Sequence, residues 1–176
     1  ARSIRVGSTP LTEPFADRRR LGFALGGFVA GEGCFSSRTI NRRPSTGTPR
    51  MRFTFTVTVA ARDRVLVAAL HEYLGGVGGV YDGPPRRSGW QPTASLQVTA
   101  ITDHLAATVP FAEQFLHPAG HKYRQFRSWR ARLREYRRAE AERLASRPAT
   151  CSTPGCDRSI RARGLCRGCY WRATGN

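Results

Sequence analysis

Between Arg52 and Val59 the chain changes character at every residue: Phe53, Phe55, Val57 and Val59 are apolar, and Arg52, Thr54, Thr56 and Thr58 are polar. Side chains of an extended chain alternate between two faces, so "MRFTFTVTVAA" (51–61) predicts a half-buried strand. The apolar residues of "LGFALGGFVAG" (21–31) are nearly continuous, as in a buried helix, although a loop is the plainer reading of so many glycines. A short strand is expected over 34–40, and "NRRPSTGTPR" (41–50) is a connection rich in turn formers. "RDRVLVAALHEYL" (62–74) has the spacing of an amphipathic helix. "GGVGG" (75–79) stops it, because glycine supplies the positive φ of a helix C-cap. "VYDG" (80–83) and "TASLQVTA" (93–100) read as strands on either side of a loop. One or two helices follow over 101–116, and residues 121–147 make a long basic helix. The order α-β-β-α-β-β-α predicts an α+β fold, with a four-stranded antiparallel sheet covered by helices on one face.

Residues 1–17 carry little pattern and read as an N-terminal arm, before a domain over 18–147. Pro148 marks the expected boundary with a short, basic, cysteine-dense segment over 148–176. The formal net charge is +17, from 29 Lys+Arg against 12 Asp+Glu. Such an imbalance repels itself unless a polyanion is the partner. Nucleic acid is the first candidate, an acidic membrane surface the second, and a basic protein from a GC-rich genome the bland alternative. No apolar run reaches the ~18 residues of a membrane span, and the first residues lack the apolar core of a signal peptide. A cytoplasmic location is expected, with no membrane partner, so paired cysteines suggest metal before disulfide.

One carboxylate stands out. Glu32 lies between Gly31 and Gly33 and is the only acid between Asp17 and Asp63. At the C-terminal tip of a helix it would face the negative end of the macrodipole, an unfavourable place for an unaccompanied anion. A solvated surface glutamate is one explanation; a ligand for a hard cation beside phosphates is the other. Glycines inside a helix cost roughly 1 kcal/mol each relative to alanine. Gly22, Gly26, Gly27 and Gly31 are better explained if a second backbone comes close.

"LGGFVAGEG" (Leu25–Gly33), followed by Phe35, resembles the signature of the LAGLIDADG homing endonucleases, and the α-β-β-α-β-β-α order is that family's core. The resemblance runs over roughly 20–140 and implies a site-specific double-strand DNA endonuclease. Such enzymes hydrolyse one phosphodiester per strand across the minor groove and leave short 3′ overhangs. Glu32 matches the family's metal-binding acid, with Mg2+ or Mn2+ as cofactor and the Gly31 backbone as a second ligand. The family's other motif acid falls at Ala30. Leu25, Gly26, Gly27, Val29 and Ala30 match the helix that packs on its two-fold mate. No second motif is present, which implies a homodimer on a long pseudo-palindromic target.

The resemblance also implies that a saddle-shaped sheet lies in the DNA major groove. Period-two alternation then turns Ser36, Arg38 and Ile40, and Arg50, Arg52, Thr54, Thr56 and Thr58, toward DNA. From later strands come Tyr81, Ser95, Gln97 and Thr99, and Arg42 and Arg43 join from the connection. Arginine suits guanine and glutamine adenine, whereas plain strand propensity explains the threonines equally well. Lys122, the only lysine of the chain, matches a basic residue of the family's catalytic pocket or else a simple phosphate contact. His121 has the same two readings, and Arg62 and Arg64 sit where further pocket residues fall.

Cys151, Cys156, Cys166 and Cys169 are spaced C-x4-C-x9-C-x2-C, which reads as a structural Zn2+ site, with disulfides the alternative. Arg158, Arg161, Arg163, Arg167 and Arg172, with Tyr170 and Trp171, suit this knuckle to phosphate contact. Cys34 reads as a buried small hydrophobe. A non-catalytic DNA-binding regulator on the same fold, an RNA maturase and a ribosome-associated zinc protein are the rival functions.

Overall fold

A computed structural model of the chain describes residues 17–40, 50–85, 87–146, 150–161 and 163–175. Arg42, Arg43, nearly all of the N-terminal arm and the expected boundary at Pro148 lie outside the described residues. Helix α1 (Arg18–Glu32) is capped by Asp17, whose carboxylate accepts from the Arg19 N–H at 2.8 Å. Strands β1 (Gly33–Ile40) and β2 (Arg50–Ala60) follow, then a single 3₁₀ turn (Ala61–Asp63) and α2 (Arg64–Tyr73). After β3 (Gly79–Gly83) and β4 (Thr93–Val98) come α3 (Ile101–Asp103), a π-helical turn (His104–Thr108) and α4 (Val109–Phe115). Helices α5 (His121–Ala145) and α6 (Arg167–Thr174) complete the chain. Packing divides it into two compact units after Leu133, within α5.

The sheet is antiparallel throughout, in the order β1-β2-β4-β3. The alternation of β2 sets its two faces. Phe53, Phe55 and Val57 are fully buried, as are Leu96 and Val98 of β4. Val29 of α1, Val67 and Leu70 of α2, and Phe126 and Leu133 of α5 complete the core. Phe35 stacks on Phe55 with centroids 5.0 Å apart and meets Trp129 at 5.4 Å, so α5 closes over the β1–β2 pair. Helix α2 ends where Gly75 and Gly76 take φ of +80° and +76°, their N–H groups returning to Glu72 and His71.

Strand β4 ends at Val98, so Thr99 lies beyond it in an exposed connection and not on the sheet. Cys34, expected inside, is exposed, because its parity in β1 is that of Ser36 and Arg38. The π-helical turn buries His104 completely and sets Thr108 against it. The His104 Nε2–H donates to the Phe53 carbonyl at 3.2 Å, which leaves Nδ1 to accept from the Thr108 hydroxyl at 3.4 Å. Burial holds the pKa of this imidazole below its ordinary value.

Candidate nucleic-acid interface and metal sites

The apolar run of α1 does not reveal which side faces inward; packing decides it. Gly22, Leu25, Gly26 and Val29 are buried against the chain's own helices and sheet. A Cβ on Gly26 would collide with the backbone carbonyl of Phe115 in α4, and one on Gly22 would strike the Phe115 ring and the Tyr73 hydroxyl. Leu25, Gly26 and Val29 are therefore not available to a second copy, which corrects their expected place in a dimer interface. The opposite side carries Phe23, Ala24, Gly27, Ala30 and Gly31, all exposed. Phe23 keeps 52% of its surface in solvent, and a Cβ on Gly27 or Gly31 would meet nothing within 4 Å. The close backbone approach that explains Gly26 is thus made inside this chain.

Glu32 is the last residue of α1 and is exposed. The chain passes straight from helix to strand at Gly33, where a Cβ would lie 2.6 Å from the Val29 carbonyl oxygen. That residue must be small, and its own carbonyl accepts a hydrogen bond from the Lys122 Nζ. Two turns further along α5, the Trp129 Nε1–H donates to the Ser36 carbonyl at 2.9 Å. These two bonds fix the first half of β1 against α5, and the carbonyl that holds the ammonium belongs to the residue after Glu32. A cleft of about 300 Å³ opens beside them, lined by Ala30, Gly31, His117, His121 and Lys122 among others. His117 went unnoticed in the sequence because it precedes α5 in an irregular stretch. Each of Arg62 and Arg64 has an acid nearby: Arg62 lies 3.6 Å from Asp63, and Arg64 donates to Asp82 at 2.9 Å.

The sheet face opposite the helices is built in rows. Ser36 pairs with Thr54, Arg38 with Arg52 and Ile40 with Arg50, while Thr56 joins Cys34 to Gln97 and Ser95 joins Thr58 to Tyr81. Among the described residues no acidic side chain shares that parity. Like charges directly opposite, as in Arg38–Arg52, destabilise a bare sheet. A surface of this kind is favourable only when a polyanion covers it.

In the C-terminal unit the four cysteine sulfurs lie within 4.8 Å of one another, and all four thiols are free. Cys156 Sγ is 3.7 Å from Cys166 Sγ and 3.9 Å from Cys169 Sγ. Four thiolates around zinc, with Zn–S near 2.3 Å, stand about 3.8 Å apart. The donor set therefore fits a tetrahedral soft-metal site. The Thr153 hydroxyl, 3.4 Å from Cys151 Sγ, is the main cause that lowers this thiol's pKa to about 6. Two exposed arginines stand near the sulfurs. The Arg172 guanidinium donates to Cys169 Sγ at 3.2 Å. Arg158 stands near Cys156, Cys166 and Cys169, which raise its pKa. Four thiolates around a divalent ion would carry two negative charges, and these two guanidinium groups stand where they would offset them.

The model of the LAGLIDADG endonuclease family matches residues 25–132, and the chain belongs to that family. Among solved structures, the meganuclease I-SmaMI bound to uncleavable DNA is similar with a TM-score of 0.56 and 27% identity, over 68% of this chain and 38% of that one. The homing endonuclease I-LtrWI, bound to its target DNA, has a TM-score of 0.53 at 22% identity, over 76% of this chain and 39% of its own. The group I intron-encoded I-CeuI, in complex with DNA, has a TM-score of 0.58 at 19% identity, over 71% of this chain and 59% of its own. The chain thus matches only about two fifths of I-SmaMI and of I-LtrWI. Comparison with curated protein sequences found no match.

Proposed function

We propose that this chain is one half of a two-fold, metal-dependent, site-specific double-strand DNA endonuclease. The observation that carries the proposal is the tip of α1, where exposed Glu32 stands one residue from a carbonyl that anchors the chain's single lysine. Glu32 and the Gly31 backbone offer the hard oxygen donors that Mg2+ or Mn2+ takes together with phosphate oxygens. Such an ion, when bound, stabilises the charge that develops on a phosphodiester during hydrolysis. The chain's own residues then have distinct tasks. Lys122 places a positive charge beside the scissile phosphate, and the exposed imidazole of His121 lies in the same cleft, able to move a proton. Arg38, Arg50 and Arg52, with Thr54, Thr56, Thr58, Ser95, Gln97 and Tyr81, meet the groove and hold the target in register.

One carboxylate per chain serves one strand, so cutting both needs a second copy. Phe23, Ala24, Gly27 and Ala30 form the exposed apolar stripe on which that copy packs. The four cysteines hold a structural Zn2+, and the segment that carries them is an accessory module. Ala30, where the family motif has its other acid, favours one second reading, a DNA-binding regulator that does not cut. Incubation with a library of double-stranded targets and Mg2+, followed by mapping of the ends, decides between them. Staggered breaks at one sequence are expected, and selective retention of that sequence without breaks would establish the regulator.

A further inference from the structure

The metal site and the sheet leave part of the C-terminal unit unexplained. Asp157 is the only acid between 150 and 176, Arg172 donates to Cys169 Sγ, and Arg158 stands near the sulfurs. Arg161 and Arg167 have no acidic partner among the described residues, and with Tyr170 and Trp171 they line a cleft of about 560 Å³. Trp171 keeps 45% of its surface in solvent and stands edge-on to Tyr170, with ring centroids 6.3 Å apart. The walls are tied to the cysteine loops. The Arg161 N–H donates to the Leu165 carbonyl at 2.8 Å, and the Tyr170 N–H to the Cys166 carbonyl at 2.9 Å. Cys166 and Cys169 flank the start of α6, so whatever fixes the sulfurs also fixes the cleft.

We propose that this cleft binds an unpaired nucleotide of a single-stranded nucleic acid, its base lying on Trp171 and its phosphate on Arg161 and Arg167. An exposed indole beside two unpaired guanidinium groups matches the two halves of a nucleotide. Every base offers a π-face to an aromatic ring, and guanidinium forks fit phosphate oxygens. The volume lies in the range of small-ligand clefts. A duplex satisfies the arginines but keeps its bases stacked inside, and bringing one out costs a few kcal/mol. The inference concerns the C-terminal unit alone and holds or fails whether or not the other unit cuts DNA.

The test uses the full zinc-loaded chain, a labelled oligothymidylate and a duplex of equal length and unrelated sequence. Trp171→Ala is expected to weaken single-strand binding about tenfold, equivalent to 1.4 kcal/mol and within the range of one base–aromatic stack. Duplex binding stays unchanged, and Trp171→Phe restores most of the loss. Arg161→Gln is expected to lower the log–log salt slope on the single strand by about 0.7. Zinc content is measured for every variant. If Trp171→Ala releases the metal, the slopes of Arg161→Gln and Arg167→Gln, both at exposed side chains, decide the matter. Equal weakening on duplex and single strand would overturn the proposal, as would no change on either.

Discussion

The two units of this chain hold together by different means. The first buries a continuous layer of Phe53, Phe55, Val57, Leu96 and Val98 beneath helices, and its aromatic residues touch in a cluster around Trp129. The second is too short to build such a layer. Among its described residues the buried side chains are Cys151, Cys166 and Cys169, with Cys156 and Leu165 packed beside them. Arginine means different things in the two settings. On the sheet Arg38 and Arg52 are opposed like charges, whereas Arg158 and Arg172 stand beside the cysteine sulfurs, and Arg172 donates to Cys169 Sγ. Residue type alone does not assign an arginine to DNA; the charge that surrounds it does.

Removing the metal separates the two units most completely. Structural zinc supplies about 10–16 kcal/mol of apparent binding energy in small domains, and that energy is folding energy. A chelator, or Cys166→Ser, is expected to unfold the C-terminal unit while the sheet unit stays folded. Hydrogen exchange would report it: amides of 150–175 lose protection, and those of β2 keep theirs. Metal content falls from about one zinc per chain to none. Simultaneous loss of protection in both units would show that the sheet unit does not stand on its own packing.

Glu32→Gln acts on the first unit in the opposite sense, against function and not against fold. A bound divalent ion is worth several kcal/mol of transition-state stabilisation. Cleavage should fall about 10³-fold or more. DNA affinity is retained, because the substitution removes a negative charge near phosphates and no contact to them. Thermal unfolding is unaltered, since Glu32 is exposed. Cleavage at an undiminished rate would remove this residue from the site.

The sequence made the strands and the order of elements legible because β2 alternates so sharply, and the C-x4-C-x9-C-x2-C spacing pointed to the sulfur cluster. It could not orient α1. A run with apolar residues on every side has no preferred face until the neighbour is known, and the neighbour is the Phe115 backbone, ninety residues distant in order of magnitude. Arg172 reaches Cys169, three residues before it and one helical turn away, and spacing alone does not show that the two meet. Cys34 was misread for a simpler reason: its composition is apolar, but its parity in β1 is that of the exposed face.

Gly26 and Gly27 test that lesson with adjacent residues. Gly26→Ala drives a methyl into the Phe115 backbone, which cannot move cheaply, and is expected to cost about 1–3 kcal/mol. Gly27→Ala enters open space and gains helix propensity of up to about 1 kcal/mol. Urea unfolding should therefore shift in opposite directions for the two variants. Gly27→Arg extends the test to assembly: the chain stays folded, light scattering on DNA shows a monomer, and double-strand cleavage is lost. A dimer that tolerates this arginine would place the two-fold contact elsewhere.

The smallest expected effect again separates the units, this time by acid. In the sheet unit His104 is neutral, enclosed, and bonded to Phe53 and Thr108. Burial lowers its pKa from the ordinary 6.5. Above that value neither the folded nor the unfolded imidazole carries the proton, and stability owes nothing to pH. Below it the unfolded chain binds a proton that the folded chain refuses. Stability then declines as pH falls from 6.5 toward the lowered native value, by at most about 1.4 kcal/mol per pH unit for one proton, and levels off beneath it. The C-terminal unit is acid-sensitive for another reason, because protonated thiols release metal. The two are told apart by following the amide of Phe53 or its neighbours in β2 by hydrogen exchange between pH 7 and 5. His104→Phe keeps a ring beside Trp129, which His104 meets edge-on at 4.9 Å, but gives up the bond to the Phe53 carbonyl. That variant should be less stable at neutral pH by about 0.5–1.5 kcal/mol, the net worth of one hydrogen bond. Its stability should no longer decline below pH 6.5, so the two curves converge as acid is added. Parallel curves would mean that the pH dependence of the sheet unit arises from groups other than this buried histidine.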